Sequence, residues 1–530
     1  MKRSRIAGAG FLALIVVFLF STMASAETVL RRGNAAEPGG LDPQAFDTTI
    51  QARIEADLYE GLTAPAPGGK IAPGQAESWT VSPDGKIWNF TLKPNLKWSN
   101  GDPVTADDFV YSLRRLVNPA NGFLTTFLAE PILNAMEIIR GQEKDVTKLG
   151  VEAPDPRTVR ITLAAPNAAL PEMLVPLRPV HRGSVEALGK EAFKPGNMVS
   201  NGAYELVEWR PQALISVVRN PNYWDAGHVQ IDRVEYYPVE DQNEELKRYR
   251  AGDLDMTADV PKDQLDFIER TLGDQYKQAP YLGIYFIGFN NSRPPFKDNP
   301  KLREALTLAI NRETLIEKII RGGAQPAYGW IPHTIAGYPN ASFPNAALSQ
   351  SAREDLARKL YAEAGYSAQH PAEFELLYNT SENHKKIMIA VAAMWKKVLG
   401  ADARLHNEEF RVFIDNRLSK KATEAYRGGF IAPYTDPQPL LELLRTGSGF
   451  NDMAYSNPRF DTLFAQAGRT PDPAERLKLF ADAEALALAD FPAAPIYYYS
   501  AERLIKPYVT GWQPSPRDSF RSQDLSIAAH

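Results

Sequence analysis

The sequence predicts an α/β fold of mixed α+β type, divided into two or three domains. Its 530 residues exceed what one hydrophobic core supports. Alternating apolar runs and helical apolar stripes mix along the whole chain, and no internal repeat organises them. With 44% hydrophobic and 23% charged residues, the composition is that of an ordinary globular protein.

The first 26 residues read as a secretory signal. Basic Lys2, Arg3 and Arg5 precede an apolar stretch from Phe11 to Phe20, and Ala24-Ser25-Ala26 supplies the small-x-small cleavage pattern. That apolar core is shorter than the roughly 20 residues of a membrane span. Beyond it, 28–32 reads as a strand, 38–43 as a turn and 50–59 as a helix. Short strands fill 64–98, with Ser82-Pro83-Asp84-Gly85 as a turn between the runs 78–81 and 87–92. Thr105, with Asp108 three residues on, caps a helix through Phe109 and Leu116. Strands are expected at 159–163, 215–218, 234–237, 281–289 and 494–499, with a further β region opening at Asn201. Two amphipathic helices stand out. One carries Leu302, Ala305, Leu306 and Ala309 behind Pro300; the other runs from Ser381 to Gly400 with the stripe Ile387, Val391, Met394, Trp395 and Val398.

The net charge is −5, and it becomes −8 once Lys2, Arg3 and Arg5 leave with the signal. An acidic chain without a basic run offers no footprint for nucleic acid. Cysteine is absent, which removes disulfide and thiolate chemistry and the cysteine a lipoprotein anchor needs. Export without an anchor points to the periplasm. The seven histidines show no zinc-helix spacing, and neither a phosphate-binding Gly-x-x-x-x-Gly-Lys loop nor a Gly-x-Ser-x-Gly elbow occurs. No cofactor or metal is expected, and an enzyme, as a periplasmic hydrolase built on carboxylates, is the disfavoured alternative.

The local words then resemble a family. They are LDP (41–43), LYEGL (58–62), AESW (76–79), KWSNGDPVTADDFVYS (97–112), NGAY (201–204), NPNYW (220–224), YRAGDLDMT (249–257), NNSRPPF (290–296), LYNTSENHKK (377–386) and PIYYY (495–499). In this order the chain resembles the periplasmic oligopeptide-binding proteins, the peptide/nickel-type (family 5) extracellular solute-binding proteins of ABC importers. The resemblance implies a periplasmic-binding-protein-like, three-lobed fold whose two main lobes close about a hinge near 283 and 500. Domain I would comprise 27–59, 184–283 and 501–530; domain II would be the insertion 60–183, and domain III 284–500. It also implies an oligopeptide ligand, delivery to the transmembrane subunits of an ABC permease with cytoplasmic ATPases, and a monomer.

Family peptides bind as an extended strand paired through their own backbone. The presenting strand here would be 427–432, with Gly429 and Ile431 pairing and Phe430 walling a pocket. Its adjacent glycines, poor choices for an ordinary buried strand, would let another backbone approach. Arg427, Arg417 and His384 match positions used for the ligand carboxylate, His384 being the pH-sensitive member or, on its own local sequence, a capping-turn histidine. Asn379 and Phe410 also fall among the ligand-binding positions. Pro433 departs from the pattern: the family places there an aspartate that pairs with the peptide ammonium. Asp436 and Asp47 are the candidates to replace it. Otherwise an N-blocked or cell-wall peptide, or a non-peptide solute, is the ligand.

Overall fold

The computed structural model describes residues 27–45, 48–66, 70–167, 169–420, 424–470, 472–518 and 520–530. The expected signal segment and Asp47 lie outside them. Three main sheets carry the fold. The first orders strands Val29–Gly33, Arg233–Tyr237, Leu214–Arg219 and Tyr204–Arg210, its first pair parallel and the rest antiparallel. The second is an antiparallel sheet of Ala76–Val81, Ile87–Leu92, Thr158–Thr162 and Val151–Asp155. The third is six-stranded and mixed: Gln325–Pro326, Ala493–Leu504, Tyr276–Phe289, Ala425–Ile431, Glu373–Asn379 and Asp402–Glu408. Each sheet has its own buried apolar cluster, built around Val217 and Tyr236, Phe90 and Ile161, and Phe286 and Trp395 respectively.

Local chemistry accounts for the elements that position the cavity. Gly85 takes a φ of 71°, and its N–H closes the 82–85 turn on Ser82 O at 2.8 Å. Thr105 donates its N–H to Asp108 at 2.8 Å, starting helix Ala106–Val117. Helix Glu382–Leu399 begins at Ser381, whose hydroxyl accepts the N–H of His384, and stops at Gly400 with φ 75°. Its buried stripe is Ile387, Met388, Val391, Trp395 and Leu399, so the expected Met394 and Val398 sit at the flank.

Trp395 is wholly buried against Phe374, and its Nε1 donates to Leu306 O at 2.8 Å, tying this helix to Pro300–Leu308. Trp395→Ala is expected to destabilise the protein by about 3–5 kcal/mol in chemical denaturation. A loss of under about 1 kcal/mol would show that this contact does not organise the lobe.

Strand Asp402–Glu408 escapes the sequence reading because it is an edge strand with mostly exposed side chains, so it lacks apolar alternation. The strand expected at 281–289 is longer, running from Tyr276 to Phe289 beside Ala493–Leu504. This pair connects two apolar clusters, since Tyr276 and Leu504 pack in one and Phe286 and Ile496 in another. Its register breaks between Pro280 and Ile284, beside Tyr499.

Candidate functional site

A cavity of about 440 Å³ lies between the first and third sheets. One wall draws on residues 35–36, 48–56, 239–262, 501–503, 517–518 and 520–521; the other draws on 379–387, 410–417, 427–433 and 497–499. Phe127, Val175 and Arg178, from beside the second sheet, also line it.

Strand Ala425–Ile431 presents a backbone edge to this space. One edge pairs with Tyr276–Phe289 along its full length. On the other edge, Glu373–Asn379 pairs only at Ala425 and Tyr426 and then diverges. Glu424 O and Ala432 N bond to the 276–289 side, at 2.8 and 2.9 Å. Because backbone groups alternate along a strand, those of Arg427, Gly429 and Ile431 face the other way, and these residues line the cavity. This is an unpaired edge of the kind an extended chain can join.

The adjacent glycines have a reason beyond the one expected. A Cβ on Gly428 would fall 2.2 Å from the Phe286 ring, and one on Gly429 would fall 2.5 Å from the Tyr499 hydroxyl. The protein's own aromatic rings therefore occupy the space a Cβ would need on the faces of the sheet, and the in-plane backbone edge stays open. Phe430 packs edge-on against Phe450 at 5.6 Å, and Phe450 meets Phe127 at 5.5 Å, bridging to the second sheet's cluster.

The three expected cations differ in state. Arg427 lies over the Tyr285 ring at 5.2 Å, and its Nη2 reaches the Tyr499 hydroxyl at 3.5 Å. Among the described residues it has no carboxylate partner, and its buried Nε has no acceptor. Arg417 is instead paired, its Nε 2.6 Å from Asp452. His384 Nδ1 sits 3.4 Å from the Tyr285 hydroxyl, and Ser381 caps the same turn. Burial, with Arg427 adding to it, holds the His384 pKa well below the ordinary imidazole value. The ring is therefore neutral at pH 7, which corrects the expectation of a pH-sensitive cation.

Asn379 and Phe410 line the cavity, and the buried Asn379 Oδ1 has no partner among the described residues. Asp436 does not line it. Its carboxylate is buried and holds Arg476 through two contacts, at 2.6 and 3.0 Å, which corrects its expected role as the ammonium partner.

Sequence reasoning missed Tyr497, Tyr499 and Phe450, although PIYYY was already in view as a family word. Arg517 carried no sequence signal at all. Acidic groups on the facing wall were missed as well. Glu502 is held by Lys262 at 2.7 Å and Tyr276 at 2.6 Å. Glu245 accepts the Ala258 N–H at 2.7 Å, and burial, with Asp259 adding, pushes its pKa up to about 8.

A carboxyl raised from 4.5 to about 8 on folding contributes stability below pH 4.5, and that stability is lost as pH rises through about 8. Glu245→Gln is therefore expected to flatten the fall in melting temperature across that window. Parallel curves for wild type and variant would exclude this assignment.

No group of three or more His, Asp or Glu side chains suited to a metal occurs among the described residues, and none of their helices is long and apolar enough to cross a membrane.

Two sheets flanking a cavity and linked by a paired-strand crossing are the architecture of a receptor that holds a small solute between lobes. The chain belongs to the bacterial extracellular solute-binding proteins, family 5, whose middle region matches residues 70–452. It is 36% identical to the periplasmic oligopeptide-binding protein OppA of Escherichia coli K12, over 96% of this chain and 94% of that one. The structure of Haemophilus influenzae OppA in complex with RPPGFSPFR superposes with a TM-score of 0.92 at 34% identity, covering 95% of this chain and all of that one. The murein tripeptide binding protein MppA of Escherichia coli, 36% identical, gives 0.93 over 96% and 99% of the two chains. Its unliganded open form gives only 0.67, over 96% and 98%. The lobes of this chain are therefore not arranged as in that open form.

Proposed function

We propose that this protein is the periplasmic receptor of an ABC importer, exported by its N-terminal signal and working as an unanchored monomer. It takes up an oligopeptide in extended form and delivers it, without chemical change, to an inner-membrane permease. The observation that carries this reading is the unpaired backbone edge at Arg427, Gly429 and Ile431, facing a cavity beside an arginine that lacks a carboxylate partner among the described residues. Backbone pairing serves any peptide sequence, and the guanidinium suits a terminal carboxylate. Phe430, Arg427 and Asn379 would contact the ligand directly, whereas Arg417 and His384 act mainly by shaping the wall around it.

The lobes would divide at 59/60, 183/184, 283/284 and 500/501. The separate apolar clusters and the register break after Pro280 support that division. Mass spectrometry of ligand released by acid from the purified protein tests the reading, and peptides are expected. Small-angle scattering on stripped protein should show a smaller radius of gyration after a tripeptide pool is added. Tight binding at constant radius would argue against lobe closure.

A further inference from the structure

Pro433 leaves the far end of the presenting strand without the expected carboxylate, and the structure places a cation there. Arg517 lines the cavity with Ala432 and Pro433, and it is only 7% exposed. Its Nη1 lies 3.4 Å from the Pro433 carbonyl, while Nε and Nη2 are buried with no hydrogen-bond partner among the described residues. Glu172 is the carboxylate that acts on it electrostatically, but that side chain is already engaged by the Thr435 N–H at 3.0 Å. The other arginines on the facing wall have partners: Arg53 and Arg503 share Asp518, and Arg521 holds Glu60 and Asp524. Arg517 and Arg427 are thus the cavity arginines without a carboxylate partner among the described residues. Their places on the presenting segment, Pro433 and Arg427, lie six residues apart, roughly 20 Å if extended.

Buried guanidinium donors left unmade are costly, and they are satisfied best by an anion with two oxygens. A peptide ammonium at the same place would meet a like charge. We propose that Arg517, with the Pro433 carbonyl orienting it, forms an anion-accepting subsite at the amino end of the ligand. The ligand is then a peptide whose amino end is acylated by a group bearing a carboxylate. This rests on the peptide-receptor reading and narrows its substrate class.

Calorimetry on protein stripped of co-purified ligand tests it, using matched tri- and tetra-alanines with free, acetylated, succinylated and methyl-succinylated amino ends. The succinylated peptides are expected to bind wild type at least tenfold more tightly than the free-amine and methyl-ester forms. Arg517→Leu should abolish the advantage of succinyl over acetyl, and Arg517→Lys should keep part of it. Tightest binding of the free amine, the result expected if Asp47 holds the ammonium, would overturn the proposal. So would an ester that binds as well as the acid, a comparison that needs no variant to fold. Wild type that binds none of the peptides would overturn the peptide-receptor reading itself, and the subsite with it.

Discussion

Arg427→Ala is expected to weaken binding of a free-acid tripeptide by about 3–5 kcal/mol, the usual cost of stripping a buried charge of its partner. Arg427 is the guanidinium at this end of the cavity whose charge no described carboxylate already neutralises. Its neighbours Tyr285, Tyr497 and Tyr499 and the neutral His384 bring no compensating positive charge, so the ligand carboxylate depends on this one group. A C-terminally amidated peptide has no charge to lose and should weaken by about 1 kcal/mol, the value of an ordinary hydrogen bond. Calorimetry on both peptides separates the cases. Equal losses would make Arg427 a packing residue that holds its tyrosine neighbours in place.

Asp452→Ala is expected to destabilise the fold by a similar amount, about 3–5 kcal/mol. Asp452 is 3% exposed, takes the Tyr426 hydroxyl at 2.5 Å and faces Arg417 Nε at 2.6 Å. Removing it strands a buried guanidinium and a buried phenol together. The double substitution Arg417→Met with Asp452→Leu should recover most of the loss, because replacing both members of a buried pair is far milder than breaking it. The double variant should also keep its affinity for free-acid peptides, since Arg417 is neutralised before any ligand arrives. Thermal denaturation reads the first effect and calorimetry the second. A double variant as unstable as the sum of its single changes would sink the argument.

Much of the fold was legible locally. Ser381 and Gly400 bounded a helix to within a residue, and Ser82 to Gly85 located a hairpin turn. These signals act between residues a few positions apart, so a sequence displays them directly. The site was legible only in outline. The strand was read as 427–432 and runs over 425–431; its glycines were read as room for a ligand backbone, and Phe286 and Tyr499, distant in sequence, give a second reason for them. His384 looked like a pH switch because burial and a neighbouring Arg427 are invisible in a string of letters.

Readable from the chain alone were the mixed α/β class, the caps and turns, the family resemblance and the proline at 433. Each of these is a matter of residue type at one place or at short spacing. Tertiary structure alone decided which edge of strand 425–431 stays unpaired, because that depends on where strand 373–379 turns away. It also decided that Asp436 is occupied by Arg476, 40 residues on, and that Arg517, 84 residues on, stands at Pro433 instead. Electrostatic partnership depends on distance in space, and a folded chain sets that distance without regard to separation in sequence.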